Sequence, residues 1–101
     1  MNYFNDIRNW ALEKGITQHG DLKTQYIKLQ EECGELANAI LKQNDADFID
    51  AVGDCVVVLT NLCAIKNVSI ESCIESAWNV IKHRKGKMIN GTFVKELSGN
   101  S

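Results

Sequence analysis

The sequence predicts an all-α domain built from four helices. Its 101 residues include no proline, so the chain can form long uninterrupted helices. Four segments repeat apolar side chains every three or four residues, which is the spacing of one helix face. Short stretches with glycine, asparagine or aspartate separate these segments and favour helix ends. The length is that of a single domain over 1–101, with a core over about 3–85 and a C-terminal arm over 86–101.

The first helix is expected to cover roughly residues 3–14. Asn2 can cap its N-terminus through the side-chain oxygen. Gly15 suits the left-handed conformation that commonly follows a helix end. Residues 16–20 are expected to form a loop.

Three further helices are expected after this loop. The second runs from its cap, Asp21, to about residue 43. The third covers about 46–66, and the fourth runs from its cap, Ser69, to about residue 84. Apolar residues mark the inner sides of the second and fourth helices: Leu22, Tyr26, Leu29, Leu36, Ile40, Ile70, Cys73, Ile74, Ala77, Trp78 and Ile81.

The helical periodicity stops after Gly86. The Asn90-Gly91 pair lies between β-favouring residues, which predicts a small hairpin or an extended arm. Residues 98–101 are expected to be disordered.

The composition is that of an ordinary soluble globular protein. A net charge of −2 gives no general reason to bind nucleic acid or an anionic membrane. No apolar run is expected to approach the ~20 residues that span a bilayer, and the N-terminus lacks the apolar region of a signal peptide, so we expect a cytoplasmic protein. The four cysteines include no CxxC pair and are expected to be reduced, buried thiols.

Two acidic helix faces are the most informative feature of the sequence. Glu31, Glu32 and Glu35 lie within a run of core-type residues on the second helix, where residues three and four apart are neighbours. Asp50 and Asp54 share a face of the valine-rich third helix. A carboxylate buried there is costly unless it is paired, protonated or bound to metal. The short connection makes the two helices antiparallel neighbours, so the five acids predict one shared Mg²⁺ site.

Several polar and aromatic residues extend this prediction, each with a structural alternative. Lys28 could bind a phosphate or balance the glutamates within its helix, and Asn61 could contact substrate or hydrogen-bond the backbone. Trp10 could stack on a base or pack in the core. A basic run could neutralise a polyphosphate or complement the dipole of the fourth helix: Lys82, Arg84, Lys85 and Lys87.

These residues together resemble the MazG-like all-α nucleoside triphosphate pyrophosphohydrolases. The similarity comes from Glu31-Glu32-x-x-Glu35, then Asp50-x-x-x-Asp54 and Asn61, and from the tail around Gly86 and Asn90-Gly91, which is similar to short phage-type members. The resemblance implies a four-helix bundle that cleaves nucleoside triphosphates to monophosphates and pyrophosphate with Mg²⁺, or Mn²⁺ in its place. It also implies a dimer or tetramer.

The family pattern assigns roles to individual residues. It implies metal ligation by Glu31 or Glu32 and by Glu35 and Asp54, and a water-orienting role for a remaining glutamate, Glu32. Lys28 is a further catalytic candidate because it precedes Glu31 and Glu32 by three and four residues. Ala51 departs from the pattern, because the family has a glutamate there. Asp50 could replace that acid.

Other functions fit part of the sequence. Relatives of the same fold act on dUTP or phosphoribosyl-ATP. A non-catalytic oligomerisation module with a vestigial metal site would explain Ala51. An oligonucleotide-binding protein using the basic tail would need no metal, but the acidic remainder of the chain disfavours it.

Overall fold

The computed structural model describes residues 2–97, so the disorder expected for residues 98–101 concerns positions outside the described part of the chain. The described residues form five helices and one two-stranded hairpin, which confirms the all-α prediction. The elements are α1 Tyr3–Glu13, α2 Ile16–His19, α3 Leu22–Leu41, α4 Asp45–Lys66, α5 Ile70–Ile81, β1 Gly86–Ile89 and β2 Thr92–Lys95.

The loop expected at residues 16–20 is wrong, because α2 forms one helical turn there. A four-residue helix is shorter than two repeats of the helical period, so apolar spacing cannot reveal it. The fourth predicted helix also ends earlier than expected, at Ile81 rather than near residue 84.

Side-chain caps set the beginnings of three helices. Asn2 accepts a hydrogen bond from the backbone amide of Asn5 at 3.1 Å, and Asp21 accepts one from Thr24 at 3.0 Å. Asn44 caps α4 by accepting a bond from the amide of Asp47 at 3.0 Å, so α4 begins one residue before the predicted start. Gly15 follows α1 with φ of 78°, as predicted.

The first of two compact units covers described residues 2–70. Its main feature is the antiparallel pair α3 and α4, joined by a short turn in which Gln43 has a left-handed φ of 55°. Helices α1 and α2 pack on α4. Ala39 of α3 and Ala51 and Val58 of α4 are buried in this unit.

Few apolar side chains are buried when the described chain is considered alone. The buried set is Ala11, Ala39, Ala51, Val58 and Ile70, and three of these are alanines. Leu41 remains 81% exposed and Ile49 69% exposed. Several residues that the sequence placed on the inner sides of helices are exposed in the single chain, so the prediction is wrong for them: Leu22, Tyr26, Ile40, Cys73, Ile74, Ala77, Trp78 and Ile81.

Helix α4 is long and apolar enough, by length and composition alone, to cross a membrane. The sequence-based estimate that no segment approaches this length is therefore wrong. The same helix carries Asp50 and Asp54 in its central part, and carboxylates at that depth in a bilayer are costly. The length of α4 is accordingly weak support for a membrane span.

The second unit begins at Glu71 and contains most of α5 and the predicted hairpin. Strands β1 and β2 pair antiparallel, with Met88 opposite Phe93. Asn90 and Gly91 form the turn with φ of 50° and 83°, as in the type I′ turns that this residue pair favours. Gly86 has no room for a side chain, because a Cβ there would lie 2.2 Å from the carbonyl oxygen of Val94.

Candidate metal centre

Three carboxylates from two helices meet at the packed face of α3 and α4. Glu32 and Glu35 lie on one side of α3, and Asp54 reaches them from α4. One oxygen of each carboxylate lies within 4.8 Å of an oxygen of the other two. Carboxylate oxygens are the ligands that hard divalent cations prefer in proteins. We call Glu32, Glu35 and Asp54 the acidic cluster.

Glu32 is the buried member of the acidic cluster, with only 6% of its surface exposed. Its Oε1 lies 3.4 Å from the Nζ of Lys28. Its Oε2 is buried and has no hydrogen-bond donor within the described residues. Buried acceptors are normally satisfied, because leaving one unpaired costs about 1–3 kcal/mol. An oxygen of this kind beside two more carboxylates fits a cation ligand.

The electrostatics of Glu35 support the same interpretation. The negative charge of Glu32 raises the pKa of Glu35, and a side-chain hydrogen bond with Glu32 raises it further. Partial desolvation and the charge of Asp54 act in the same direction, while Lys28 opposes them. The cluster therefore disfavours its own full ionisation when no cation is bound. A divalent cation would remove that repulsion.

The other two predicted ligands lie outside the acidic cluster. The side chain of Glu31 is 63% exposed and lies 4.0 Å from the Nζ of Lys28. Asp50 is also exposed, but it lines a cavity of about 360 Å³ together with Glu35 and Asp54. The structure thus brings together three of the five predicted acids, places Asp50 beside them, and leaves Glu31 at the surface.

This cavity between α3 and α4 contains further polar residues that the sequence prediction missed. Asn38 and Lys42 line it and follow Glu35 by three and seven residues. These spacings lie on the same helix face, so extending the acidic face by two turns would have found both. Asp47 and Ala51 also line the cavity. Ala51, where the family resemblance implies a glutamate, therefore contributes a methyl group to the cavity wall.

A second, largely apolar cavity of about 690 Å³ lies between α1 and α4. Trp10 lines it, and Tyr3 and Ile7 lie on the same side of α1. Asp50 and Asp54 line both cavities. The acidic wall of α4 is therefore shared by a polar cavity and an aromatic one.

The remaining predicted residues have separate surroundings. Asn61 is 4% exposed, and its Oδ1 has no hydrogen-bond donor in the described part of the chain. It lines neither of the two cavities described above. The four predicted basic residues belong to the second unit, around the start of the hairpin: Lys82, Arg84, Lys85 and Lys87.

The cysteines are free thiols, as expected, but the expectation that they are buried is wrong. Cys33 and Cys73 are exposed, while Cys55 and Cys63 are half-buried. Desolvation raises the pKa of Cys55, and its hydrogen bond with Cys33 raises it further. Cys33 and Cys55 flank the acidic cluster in sequence, next to Glu32 and Asp54.

The chain is similar in sequence to known proteins. The model of the MazG nucleotide pyrophosphohydrolase domain matches residues 21–89, which contain all three cluster acids. An uncharacterised 18.2 kDa protein from the rep-hol intergenic region of Haemophilus phage HP1 (strain HP1c1) is 34% identical over 70 residues. That alignment covers 69% of this chain and 42% of the phage protein. No solved structure matches the chain. The family match covers most of the chain, which thus belongs to the MazG nucleotide pyrophosphohydrolase family.

Proposed function

We propose that this protein is a metal-dependent nucleotide pyrophosphohydrolase that converts a nucleoside or deoxynucleoside triphosphate into the monophosphate and pyrophosphate. The observation that carries the proposal is the acidic cluster, in which buried Glu32 presents an unpaired oxygen beside Glu35 and Asp54. The family match over residues 21–89 supports the same reaction class.

The cation proposed for this site is Mg²⁺, or Mn²⁺ in its place. Glu32, Glu35 and Asp54 would hold it, and Asp50 and Asp47 supply further carboxylates to the same cavity. When bound, the cation would neutralise phosphate charge and polarise the phosphorus–oxygen bonds. Mg²⁺ usually retains several non-protein ligands, so three carboxylates leave room for phosphate oxygens and water.

The carboxylates would also position the attacking water. Glu32 orients the water and accepts its proton as the water oxygen bonds to a phosphorus of the α–β bridge. The bond from that phosphorus to the bridging oxygen then breaks, and pyrophosphate separates from the monophosphate. The proposal gives this role to Glu32 because it is the buried member of the acidic cluster.

Basic side chains would compensate the charge of the triphosphate. The side-chain hydrogen bond with Glu32, together with the charge of that carboxylate, raises the pKa of Lys28, so this side chain is cationic at neutral pH. Lys42 lines the cavity between α3 and α4, which we call the metal cavity. Asn61 is proposed as an additional substrate contact. The phosphate-binding role of the basic residues in the second unit stays a prediction from the sequence: Lys82, Arg84, Lys85 and Lys87.

The largely apolar cavity between α1 and α4, which we call the aromatic cavity, is the proposed site of the nucleobase. It begins at Asp50 and Asp54, which also line the metal cavity, so a phosphate chain at one side can connect to a base at the other. Trp10 and Tyr3 offer flat apolar surfaces of the kind on which bases stack.

A homo-oligomer is part of the proposal. The described chain buries five apolar residues and leaves long apolar side chains such as Leu41 and Ile49 exposed. Burial of further apolar surface would add stability to a domain of this size. Association of identical chains would cover these residues, and it also accounts for the apolar surface of α4 without a membrane.

One observation favours a non-catalytic oligomerisation module instead. Ala51 places a methyl group in the cavity wall at the position where the family resemblance implies a glutamate. If Asp50 does not replace that acid, the site could bind a cation without supporting hydrolysis.

Pyrophosphate release from a panel of NTPs and dNTPs, with Mg²⁺, Mn²⁺ or EDTA, tests the proposal. We expect metal-dependent release that is lost in Glu35→Gln and retained in Glu13→Gln, an exposed acid that lines neither of the two cavities described above. A folded, metal-loaded protein that releases no pyrophosphate from any nucleotide would exclude the enzyme and leave the oligomerisation module.

A further inference from the structure

The aromatic cavity contains one carboxylate that the proposed hydrolysis does not use. Tyr3, Asp6, Ile7 and Trp10 follow one another at helical spacing on α1 and all line this cavity. Asp50 and Asp54 also line it, but they belong to the metal cavity as well. Asp6 lines the aromatic cavity without lining the metal cavity. Its carboxylate is thus placed beside the proposed base and not at the metal.

A position in the first helical turn is the simplest structural reason for this acid. Asp6 lies in the first turn of α1, where a negative charge complements the helix dipole. The chain provides a matched comparison in Asp45, which lies in the first turn of α4 and lines neither the metal cavity nor the aromatic cavity. A dipole role predicts the same behaviour for both residues, whereas a binding role predicts an effect of Asp6 alone.

The chemistry of a carboxylate limits which bases it can recognise. An ionised carboxylate only accepts hydrogen bonds. Cytosine, adenine and guanine each carry an exocyclic amino group that donates, while uracil and thymine carry a carbonyl oxygen where cytosine has its amino group. A carboxylate facing that carbonyl is repelled, and both groups lose their hydrogen bonds to water. A site built to accept from an amino group therefore rejects the corresponding carbonyl base.

We propose that Asp6 determines base specificity by accepting a hydrogen bond from the exocyclic amino group of a nucleobase held against Tyr3 and Trp10. The preferred substrates are then nucleotides of amino-bearing bases, with CTP favoured over UTP. This inference rests on the proposed function, because it takes the aromatic cavity as the base site.

CTP and UTP provide the sharpest comparison, since they differ at the position that Asp6 would read. We expect the wild type to favour CTP over UTP by about tenfold or more in kcat/KM, as for a hydrogen bond to a charged group. Asp6→Asn should bring the ratio close to one, because an amide can donate as well as accept. Asp6→Glu keeps the carboxylate and should preserve a preference for CTP. Asp45→Asn should leave the ratio unchanged.

The outcomes separate the inference from the proposed function. Turnover with a wild-type ratio near one, or a ratio that Asp6→Asn leaves unchanged, would overturn the role of Asp6 while leaving the enzyme intact. No turnover of any nucleotide would overturn the function. In that case, binding of CMP and UMP is measured by fluorescence of Trp10 in the Trp78→Phe background. Tighter binding of CMP that Asp6→Asn abolishes would support Asp6 as a base reader, and equal or absent binding of the two would refute it.

Discussion

Replacing Glu32 by glutamine is expected to stabilise the metal-free protein and to remove its stabilisation by divalent cations. Glutamine keeps the length of the side chain and removes its charge. The carboxylate that it replaces is 6% exposed, has one oxygen without a donor among residues 2–97, and lies within 4.8 Å of two other carboxylates. The new amide can also donate to Glu35 or Asp54.

The magnitude follows from the unpaired oxygen. Burial of an unsatisfied acceptor costs about 1–3 kcal/mol, and loss of the ion pair with half-exposed Lys28 offsets about 0–1 kcal/mol, so the free energy of unfolding in EDTA should rise by about 1–2 kcal/mol. For a domain of this size, each kcal/mol raises Tm by about 4–8 °C. Wild type should gain about 2.7 kcal/mol when Mg²⁺ is present at 100 times its Kd, and Glu32→Gln should gain little.

Thermal and urea unfolding with EDTA or with saturating Mg²⁺, at one fixed protein concentration, measures both effects. Glu31→Gln is the matched control in EDTA, because it removes the same charge from the same helix at an exposed position near Lys28. Its stability should change by less than about 0.5 kcal/mol. A Glu32→Gln protein that is less stable than wild type in EDTA and still gains stability from Mg²⁺ would refute this reasoning and make Glu32 a structural residue.

Three further predictions concern pH, capping and association. The pKa of Glu35 is raised above its ordinary value of 4.5, so the charged side chain destabilises the metal-free fold at neutral pH. The Tm advantage of Glu35→Gln over wild type in EDTA should accordingly be present at pH 7 and disappear as the pH falls below 4.5; an advantage independent of pH would contradict it. Asn44→Ala should lower the free energy of unfolding by about 1 kcal/mol, and Asn44→Gly by only a few tenths, because Asn44 caps α4; equal losses in urea unfolding would argue against the cap. Dilution should lower Tm if chains associate through their exposed apolar residues; a monomer mass in sedimentation with a concentration-independent Tm would exclude association.

Local features of the fold were predictable from the sequence because they depend on neighbouring residues. Asn2 and Asp21 cap helices through contacts only three residues away. The Asn90-Gly91 turn follows from the tolerance of both residues for positive φ. The one-turn helix α2 was missed because it is too short to show a period.

Features that depend on packing between distant segments were less predictable. Glu31 and Glu32 are adjacent in sequence, but only Glu32 is buried within the cluster, and the rotation of α3 against α4 decides which of them is. Tyr3 and Asp6 were not identified because their importance depends on α1 meeting α4 about fifty residues away. Leu22 and Tyr26 were assigned to an inner side, yet the described chain leaves Leu22 39% and Tyr26 55% exposed.

The origin of the cluster acids on two helices has a consequence for the motions of the protein. Glu32 and Glu35 belong to α3 and Asp54 to α4, on opposite sides of the turn at Gln43. A cation held by all three would cross-link the helices, so separating them would require its release. Local unfolding of either helix near the cluster would then require the other helix to unfold with it. Backbone amide hydrogens on the two helices would exchange with solvent at a common rate that falls as the free cation concentration rises.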